Sequence, residues 1–350
     1  MKKVVWGILS TANIGVKKVI PALMQSDLIR VKGLASRNLE SAQAAVDKLG
    51  LEMAYGSYED LLADPEIEVI YNPLPNHLHV PMTLATARAG KHVLCEKPMA
   101  LKASEIDELA EVSHPPSSSG LDRQTAVGQT KRIHIMEAFM VRHSLQWLEA
   151  RRLIREGAIG QAQVIQSQFS YNNTDPHNIR NKVEWGGGGL MDIGCYPIVA
   201  GRFFFEADPL RVMALISRDK TFGTDTITSG LLDFGAGRHL TFAVSTCLAP
   251  AQSVTVFGDK GRLSLSIPFN QPTETPQIVT VDDGQTLTGA TAVTHTLQAS
   301  NQYTLMGEAL CRAVRGETAL PYGMDDARTN MKIIDALFRS ESSGAWETLD

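Results

Sequence analysis

The fold is decided near the N-terminus, by Val4-Val5-Trp6-Gly7-Ile8-Leu9 followed directly by Ser10-Thr11-Ala12-Asn13-Ile14-Gly15. The first stretch is almost continuously apolar, which is typical of a strand buried on both faces. The second consists of small residues and leads into a helical pattern over residues 14–24. A buried strand, a tight turn and a helix form the phosphate-binding unit of a dinucleotide fold, where backbone N–H groups approach a pyrophosphate.

One glycine of the G-x-G-x-x-G pattern remains in this turn, because Ser10 and Ala12 take the first two places and Gly15 the third. The position after the first strand still predicts a cofactor site, and an ordinary strand-to-helix turn is the alternative. The predicted cofactor contacts in the turn are Ser10, Thr11, Ala12, Asn13 and Ile14.

Short apolar runs alternate with helical patterns up to about residue 100, whereas longer β-rich runs follow residue 160. The first pattern predicts parallel strands with helical crossovers, and the second a large, mostly antiparallel sheet. We therefore predict an α/β protein with two domains. Residues 1–137 form a Rossmann domain with a doubly wound parallel sheet, and residues 138–350 form an α+β domain with a large open sheet.

The second strand ends in Ser36 and Arg37, at the place where NAD-preferring sites usually carry Asp or Glu. A hydroxyl and a guanidinium offer donors to a 2′-phosphate, which a carboxylate would repel. This pair predicts NADP as the cofactor, with NAD possible. A solvated surface arginine is the alternative for Arg37.

The tripeptide Glu96-Lys97-Pro98 follows the strand predicted at residues 92–95, at the sheet edge that binds ligands in doubly wound folds. Because Pro98 disfavours a helical conformation at Lys97, the lysine is expected to stay extended. A fixed ammonium can stabilise the charge that develops on a substrate oxygen during hydride transfer. A solvated surface lysine is the alternative.

A run of glycines, residues 186–189, is interpreted as a flexible link to a helix that carries Asp192 and Tyr196. These two residues are four apart and share a helix face, although Pro197 leaves the register of the first turn open. A phenol near an ammonium can act as a general acid or base, because the positive charge lowers a phenol's pKa from about 10. The alternative makes Tyr196 a packing residue and Asp192 an N-cap.

The chain resembles the Gfo/Idh/MocA family, which is named for glucose-fructose oxidoreductase and inositol dehydrogenase. Within the family it is most similar to the branch of NADP-dependent D-xylose dehydrogenases and dimeric dihydrodiol dehydrogenases. The resemblance covers nearly the whole chain, and four motifs carry it in order: Gly7 to Gly15, Glu96-Lys97-Pro98, Met136 to Met140, and Gly187 to Tyr196.

The resemblance implies roles for individual residues. Tyr196 is the implied proton donor or acceptor, assisted by Lys97 and Asp192, and the Lys97–Pro98 bond is expected to be cis. A homodimer or higher homo-oligomer through the sheet of the second domain is implied, and a metal is not. Further implied cofactor contacts are Pro73, Asn76, His77, Glu96 and Lys97.

Two departures from the family pattern lie near the junction of the predicted domains. The connection Ser113–Lys131 is longer than usual, and its Pro and Ser content predicts a mobile surface loop without a catalytic role. Arg142 and His143 stand where relatives often carry a His-Pro pair.

Polar residues at 171–180 suit a polyol or an aldose, whose hydroxyls need both donors and acceptors. Asn178 and Arg180 are the expected substrate-binding residues, with Trp185 as a stacking surface for a sugar ring. A solvated loop is the alternative.

Composition excludes several classes of protein. The chain has 350 residues with a net charge of −5 and no block of like charges, which argues against a nucleic-acid partner. No run approaches the roughly 18 apolar residues of a membrane helix, and the N-terminal apolar run breaks at Ser10, too early for a signal peptide. The four cysteines are widely spaced, so reduced thiols in a cytoplasmic protein are expected rather than a metal site.

Together these observations predict an NADP(H)-dependent dehydrogenase or reductase that transfers hydride between nicotinamide and a sugar, either an aldose or polyol or, in reverse, a ketosugar. Oxidation of trans-dihydrodiols is the alternative enzyme activity. A nucleotide-sensing regulatory protein that has lost the chemistry is the alternative from another class, and the presence of Lys97, Asp192 and Tyr196 counts against it.

Overall fold

A computed structural model describes residues 2–113 and 132–349. The expectation of a mobile loop at Ser113–Lys131 therefore falls, after Ser113, outside the described residues. The chain divides into two compact units: Met1–Phe139 with Tyr303–Arg328, and Met140–Gln302 with Thr329–Asp350.

The first unit is built on a sheet of parallel strands, as predicted for a Rossmann fold. Its strands are β1 (Val4–Leu9), β2 (Ile29–Ala35), β3 (Met53–Tyr55), β4 (Val69–Asn72), β5 (His92–Cys95) and β6 (Ile135–Glu137). The strand order is β3-β2-β1-β4-β5-β6, so the direction of winding changes between β1 and β4. Doubly wound sheets bind ligands at that switch point, beyond the carboxyl ends of the strands.

Helices connect these strands as crossovers. They are α1 (Ile20–Leu23), α2 (Leu39–Leu49), α3 (Tyr58–Ala63), α4 (His79–Arg88) and α5 (Ala103–Ser113). Side chains of Asn38 and Ser57 cap α2 and α3 by accepting backbone N–H groups. A π-helical turn, Gly15–Val19, precedes α1. Pro21 explains that turn, because proline removes a backbone donor and clashes with the carbonyl four residues earlier.

The second unit contains a large mixed sheet. Its strands are β7 (Ala162–Asn172), β8 (Arg211–Arg218), β9 (Asp225–Asp233), β10 (His239–Ser245), β11 (Cys247–Gly258), β12 (Arg262–Leu265), β13 (Gln277–Asp282), β14 (Val293–Leu297) and β15 (Glu347–Thr348). The order is β14-β13-β12-β11-β7-β10-β9-β8-β15. The β10–β7 pair is parallel and the other pairs of neighbouring strands in this sheet are antiparallel, which confirms the predicted sheet.

Two helices, α6 (Leu145–Arg155) and α7 (Cys195–Phe205), cover one face of this sheet. The buried Trp147 of α6 packs against Phe203 and Phe204 of α7, with ring centroids 5.2 and 5.1 Å away. A second π-helical turn, Leu190–Gly194, leads into α7 and again precedes a proline, Pro197. None of the helices within residues 2–113 and 132–349 has the length and apolar character needed to cross a membrane.

The last two helices are α8 (Gln302–Val314) and α9 (Met324–Ser343). Residues Tyr303–Arg328 belong to the first unit, whereas the sequence placed everything after residue 137 in the second domain. The reason is packing: Cys311 of α8 lies against Trp6 of β1, and Glu308 accepts a hydrogen bond from Ser26. Position along the chain could not show that α8 returns to the first sheet.

Candidate active site

The turn after β1 has the backbone of a phosphate-binding loop. Ser10 has a φ of +67°, which is the left-handed conformation that glycine adopts most easily. Its N–H donates to Ala35 of β2 at 2.8 Å, and its Oγ accepts the N–H of Ala12 at 3.2 Å. A serine thus supplies the geometry usually provided by the first glycine, and strained backbone of this kind concentrates at functional sites.

The predicted contacts Thr11, Ala12, Asn13 and Ile14 lie at the N-terminal end of the helical segment 13–23. A Cβ on Gly15 would lie 3.5 Å from the Tyr71 ring and 3.6 Å from Pro73, so the protein alone would tolerate a side chain there. Gly15 also leaves the backbone of the turn uncovered by a side chain of its own. The turn therefore fits a dinucleotide, whose phosphates need a close approach to backbone N–H groups.

Ser36 and Arg37 follow β2 directly, beside this turn. Ser36 Oγ accepts the N–H of Asn38 at 3.4 Å, and Arg37 is exposed. No acidic side chain in residues 2–113 or 132–349 forms an ion pair with Arg37. Burial raises the pKa of Tyr58, and the nearby positive charge of Arg37 opposes that rise. The guanidinium is therefore available to an anion.

The segment after β4 contains the predicted contacts Pro73, Asn76 and His77. Asn76–Leu78 forms a 3₁₀ turn that leads into α4. Asn72 ties this segment down, because its side-chain amide donates to the carbonyl of His79 at 3.1 Å and its Oδ1 accepts the N–H of Leu74 at 3.3 Å. The fully buried side-chain amide of Asn72 therefore fixes the conformation of this loop.

His79 joins this loop to the one that carries Lys97. Its Nδ1 and Nε2 lie 2.7 Å from the carbonyl oxygens of Pro98 and Leu74 respectively. Burial lowers the pKa of His79 to about 4, and the two carbonyls partly offset this effect. The ring is therefore neutral at pH 7 and can donate to only one of the two carbonyls at a time.

Lys97 lies just beyond β5, partly exposed, in a segment held at both ends. The Lys97–Pro98 peptide bond is cis. Before it, Glu96 accepts a hydrogen bond from the buried Tyr71 hydroxyl at 2.6 Å. After it, the N–H of Met99 donates to Glu137 at 2.7 Å. The backbone around Lys97 is therefore fixed by side chains other than the lysine itself.

In the second unit, Asp192 is the centre of a polar cluster. Its Oδ2 accepts the Tyr171 hydroxyl at 2.6 Å and lies 2.9 Å from Nε of Arg180. The charge of Asp192 raises the pKa of Arg180 above its usual value. Asp192 lies inside the π-helical turn, with its own N–H bonded to Gly188. It is therefore not the N-cap that the alternative interpretation proposed.

Tyr196 lies one turn further along, on α7, and is 6% exposed. Its ring packs edge-on against Phe169 and beside Phe269, with centroids 5.5 and 5.3 Å away. Its hydroxyl lies 3.7 Å from the sulfur of Met140. The ring thus has the packing role of the alternative interpretation. The phenol group of Tyr196 also contributes to the raised pKa of Arg180.

The glycine run that precedes this helix is closely packed, which corrects the interpretation of a flexible link. A Cβ on Gly187 would lie 2.4 Å from the carbonyl oxygen of Arg180. The N–H groups of Gly187 and Gly188 donate to the carbonyls of Lys182 and Arg180, both at 2.9 Å. These bonds join the loop that carries Arg180 to the start of the helix.

The remaining predicted substrate residues have local partners. Asn178 caps a 3₁₀ turn by accepting the N–H of Arg180 at 3.0 Å. The ammonium of Lys182 lies 4.4 Å from the centroid of the Trp185 ring. One face of that indole is therefore already in contact with a cation.

The structure groups the predicted residues by unit. The cofactor residues and Lys97 lie in the first unit, and Asp192, Tyr196 and Arg180 lie in the second. Sequence reasoning missed Tyr171 and His79. Tyr171 lay inside the polar stretch that we noted, but its partner depends on how β7 lies against the helix.

Comparison with known proteins identifies both units. The model "Oxidoreductase family, NAD-binding Rossmann fold" of GFO/IDH/MocA matches residues 5–114, and the GFO/IDH/MocA C-terminal domain matches residues 147–264. An uncharacterized oxidoreductase of Rhizobium meliloti is 40% identical over 100% of both chains. A D-xylose 1-dehydrogenase (NADP(+)) of Haloferax volcanii is 35% identical over 99% of both. A 3-ketoreductase from Actinomadura kijaniata, solved with NADP and TDP-benzene, has a TM-score of 0.86 at 25% identity, covering 97% of this chain and 98% of that one.

Proposed function

This chain belongs to the GFO/IDH/MocA oxidoreductase family, and we propose that it is an NADP(H)-dependent oxidoreductase that transfers hydride between the nicotinamide and a sugar. Its proposed reaction is oxidation of an aldopyranose at the anomeric carbon to a lactone, with NADP as hydride acceptor, or reduction of a ketosugar to the corresponding alcohol, with NADPH as hydride donor. The Asp192 cluster carries this proposal, because it holds the Tyr171 phenol and the Arg180 guanidinium against a carboxylate at the start of the helix that bears Tyr196. The NADP-dependent sugar dehydrogenase of Haloferax volcanii supports the substrate class.

The first unit fits a bound NADP. The phosphate turn after β1 suits the pyrophosphate, and the exposed Arg37 suits the 2′-phosphate. When bound, the nicotinamide supplies the hydride acceptor or donor. The residues proposed to hold it are Ser10, Thr11, Ala12, Asn13, Ile14, Ser36, Arg37, Pro73, Asn76, His77, Glu96 and Lys97.

Three side chains are proposed to act on the substrate hydroxyl. Tyr196 takes the proton from that hydroxyl at its phenol oxygen, or returns it in the reverse direction. Lys97 provides a fixed positive charge that stabilises the developing negative charge on the substrate oxygen. Asp192, anchored by Tyr171 and Arg180, orients this arrangement.

Substrate recognition is proposed for residues beside the Asp192 cluster. Arg180 is held by Asp192 through Nε, so its remaining N–H groups can reach a sugar hydroxyl. Asn178 fixes the backbone of Arg180, which adds a supporting role to its proposed contact. Trp185, whose ring contacts the Lys182 ammonium, is the proposed stacking surface for a sugar ring.

Arg37→Ala is expected to weaken NADP binding by about tenfold or more, because the charge-assisted bonds to the 2′-phosphate are lost. NAD binding is expected to change by about twofold or less, since NAD lacks that phosphate. Titration of NADP and of NAD against the unsubstituted protein and Arg37→Ala measures the change in each Kd. Glu40→Ala, at an exposed position on α2, is the matched control. Equal losses for NADP and NAD would remove Arg37 from the 2′-phosphate site.

A substrate panel tests the reaction itself. With NADP, absorbance at 340 nm is expected to rise for at least one aldose or polyol, and to fall with NADPH and the corresponding carbonyl compound. The panel includes a trans-dihydrodiol, and turnover of that compound alone would establish the alternative activity. Tight NADP binding without turnover of any compound would instead favour a nucleotide-sensing protein.

A homodimer through the sheet of the second unit is also proposed. The strand face opposite α6 and α7 exposes Leu215, at 76%, and the uncharged Gln166, Gln168 and Ser229. An exposed leucine among uncharged side chains in the middle of this face favours a protein partner there. A cytoplasmic location is proposed as well, because Cys247 is an exposed free thiol and reduced thiols are usual there.

A further inference from the structure

Asp225 lies at the start of the helical segment 189–205, although it belongs to β9. Its Oδ2 accepts the backbone N–H of Leu190 at 2.6 Å and the Thr228 hydroxyl at 3.1 Å. Asp225 is 1% exposed. A carboxylate from a distant strand therefore satisfies a backbone donor that the first turn of a helix leaves unpaired.

Gly188 and Gly189 provide the space that this carboxylate occupies. A Cβ on Gly188 would lie 2.0 Å from Oδ1 of Asp225, and Gly188 has a φ of +121° that other residues rarely adopt. A Cβ on Gly189 would lie 3.3 Å from Oδ2. The close packing of these glycines is thus explained by the approach of one buried side chain.

Burial outweighs the groups that stabilise the charge of this carboxylate, so the pKa of Asp225 lies above its usual value. Burial raises the pKa of Asp225, while the N–H of Leu190, the Thr228 hydroxyl and the charge of Arg218 on β8 lower it. A buried carboxylate is costly unless hydrogen bonds compensate for lost water, and the positive end of a helix adds to that compensation. The helix start and the carboxylate therefore stabilise each other.

We propose that Asp225 is a positioning residue for the reaction. It fixes the start of the helix, and Asp192 and Tyr196 follow Leu190 within the next two turns. A fixed start keeps both side chains in place relative to β7, which supplies Tyr171. This inference rests on the proposed function, since that proposal gives Asp192 and Tyr196 their catalytic roles.

Asp225→Ala is expected to lower kcat by about 10- to 100-fold, because a displacement of about 1 Å at a reacting group has an effect of this size. The KM for NADP is expected to stay within about twofold, since the cofactor residues lie in the other unit. Asp225→Asn keeps an oxygen acceptor for Leu190 and is expected to retain kcat within about threefold.

Asp233→Ala is the matched control. Asp233 lies at the other end of β9 and also accepts a backbone N–H, that of Gly235 at 2.8 Å. The same substitution there is expected to leave kcat unchanged. A fall in kcat equal to that of Asp225→Ala would show that the effect comes from general damage to the sheet.

Gly188→Ala tests the same contact from the other side. Its Cβ would displace the Asp225 carboxylate, so kcat is expected to fall by about the same factor as in Asp225→Ala. In the double variant the two losses are expected not to multiply, because both remove one contact. Fully multiplied losses would overturn the proposal that Gly188 serves Asp225.

Hydrogen exchange gives a readout that does not depend on turnover. In Asp225→Ala, the amides of residues 190–196 are expected to exchange about tenfold faster or more, while β1 and β4 keep their rates. If the unsubstituted protein turns over no substrate, the proposed function fails but the exchange result still decides the anchoring role. Unchanged exchange at residues 190–196 together with normal kcat would overturn the inference.

Discussion

Lys97→Ala is expected to lower kcat by about 10²-fold or more, while the Kd for NADP stays within about threefold. The ammonium is proposed to stabilise negative charge that develops on the substrate oxygen, and alanine leaves that charge uncompensated. Steady-state kinetics at 340 nm measure kcat, and fluorescence titration of the unsubstituted and variant proteins measures Kd.

The surroundings of Lys97 make this variant informative, because neighbouring side chains hold the loop on both sides of the lysine. Tyr71 fixes Glu96, Glu137 fixes Met99, and His79 contacts the carbonyl of Pro98. The backbone is therefore expected to keep its conformation when the side chain is shortened, so that lost turnover reports on the ammonium.

Two further variants separate charge from position. Lys97→Arg keeps a positive charge but in a larger, planar group, and is expected to recover only part of the lost kcat. Lys48→Ala, at an exposed position near the end of α2, is expected to leave kcat unchanged. Near-normal kcat in Lys97→Ala would remove the lysine from the proposed mechanism.

The fold could be predicted because local patterns decide it. The apolar run Val4–Leu9 is buried at every position, as a central parallel strand must be, and the turn after it has the expected location. Helix α8 shows the limit of such reasoning. Its bounds, Gln302–Val314, match the pattern, but its packing against Trp6 depends on how the chain returns in space.

The sequence indicated the motif residues of the candidate site, but it did not indicate the residues that form hydrogen bonds with them. Lys97, Asp192 and Tyr196 stand in recognisable motifs, and their roles remain proposals. Tyr171 and Asp225 do not, since an isolated tyrosine or aspartate carries no signal until folding brings it to Asp192 or Leu190. The glycine run was interpreted as flexible because the sequence shows only that these positions have no side chains. It does not show that atoms of Arg180 and Asp225 pack against them.

Tyr196→Phe removes one hydroxyl and is expected to lower kcat by about 10²-fold or more, because general acid–base catalysis contributes an effect of this size. The ring contacts with Phe169 and Phe269 remain, so the melting temperature is expected to stay nearly constant. The NADP Kd is expected to stay within about threefold, since the nucleotide residues lie in the first unit.

The double variant Lys97→Ala with Tyr196→Phe decides whether the two residues serve one reaction step. The effects of catalytic groups that act as a unit are strongly non-additive. The kcat of the double variant is therefore expected to be only slightly below that of the less active single variant. If the two losses multiply instead, the ammonium and the phenol act independently, as they would if they did not reach the same substrate hydroxyl. Normal turnover in Tyr196→Phe would leave the proton without an acceptor in the proposed mechanism and would shift that role to Asp192 or to a residue outside the cluster.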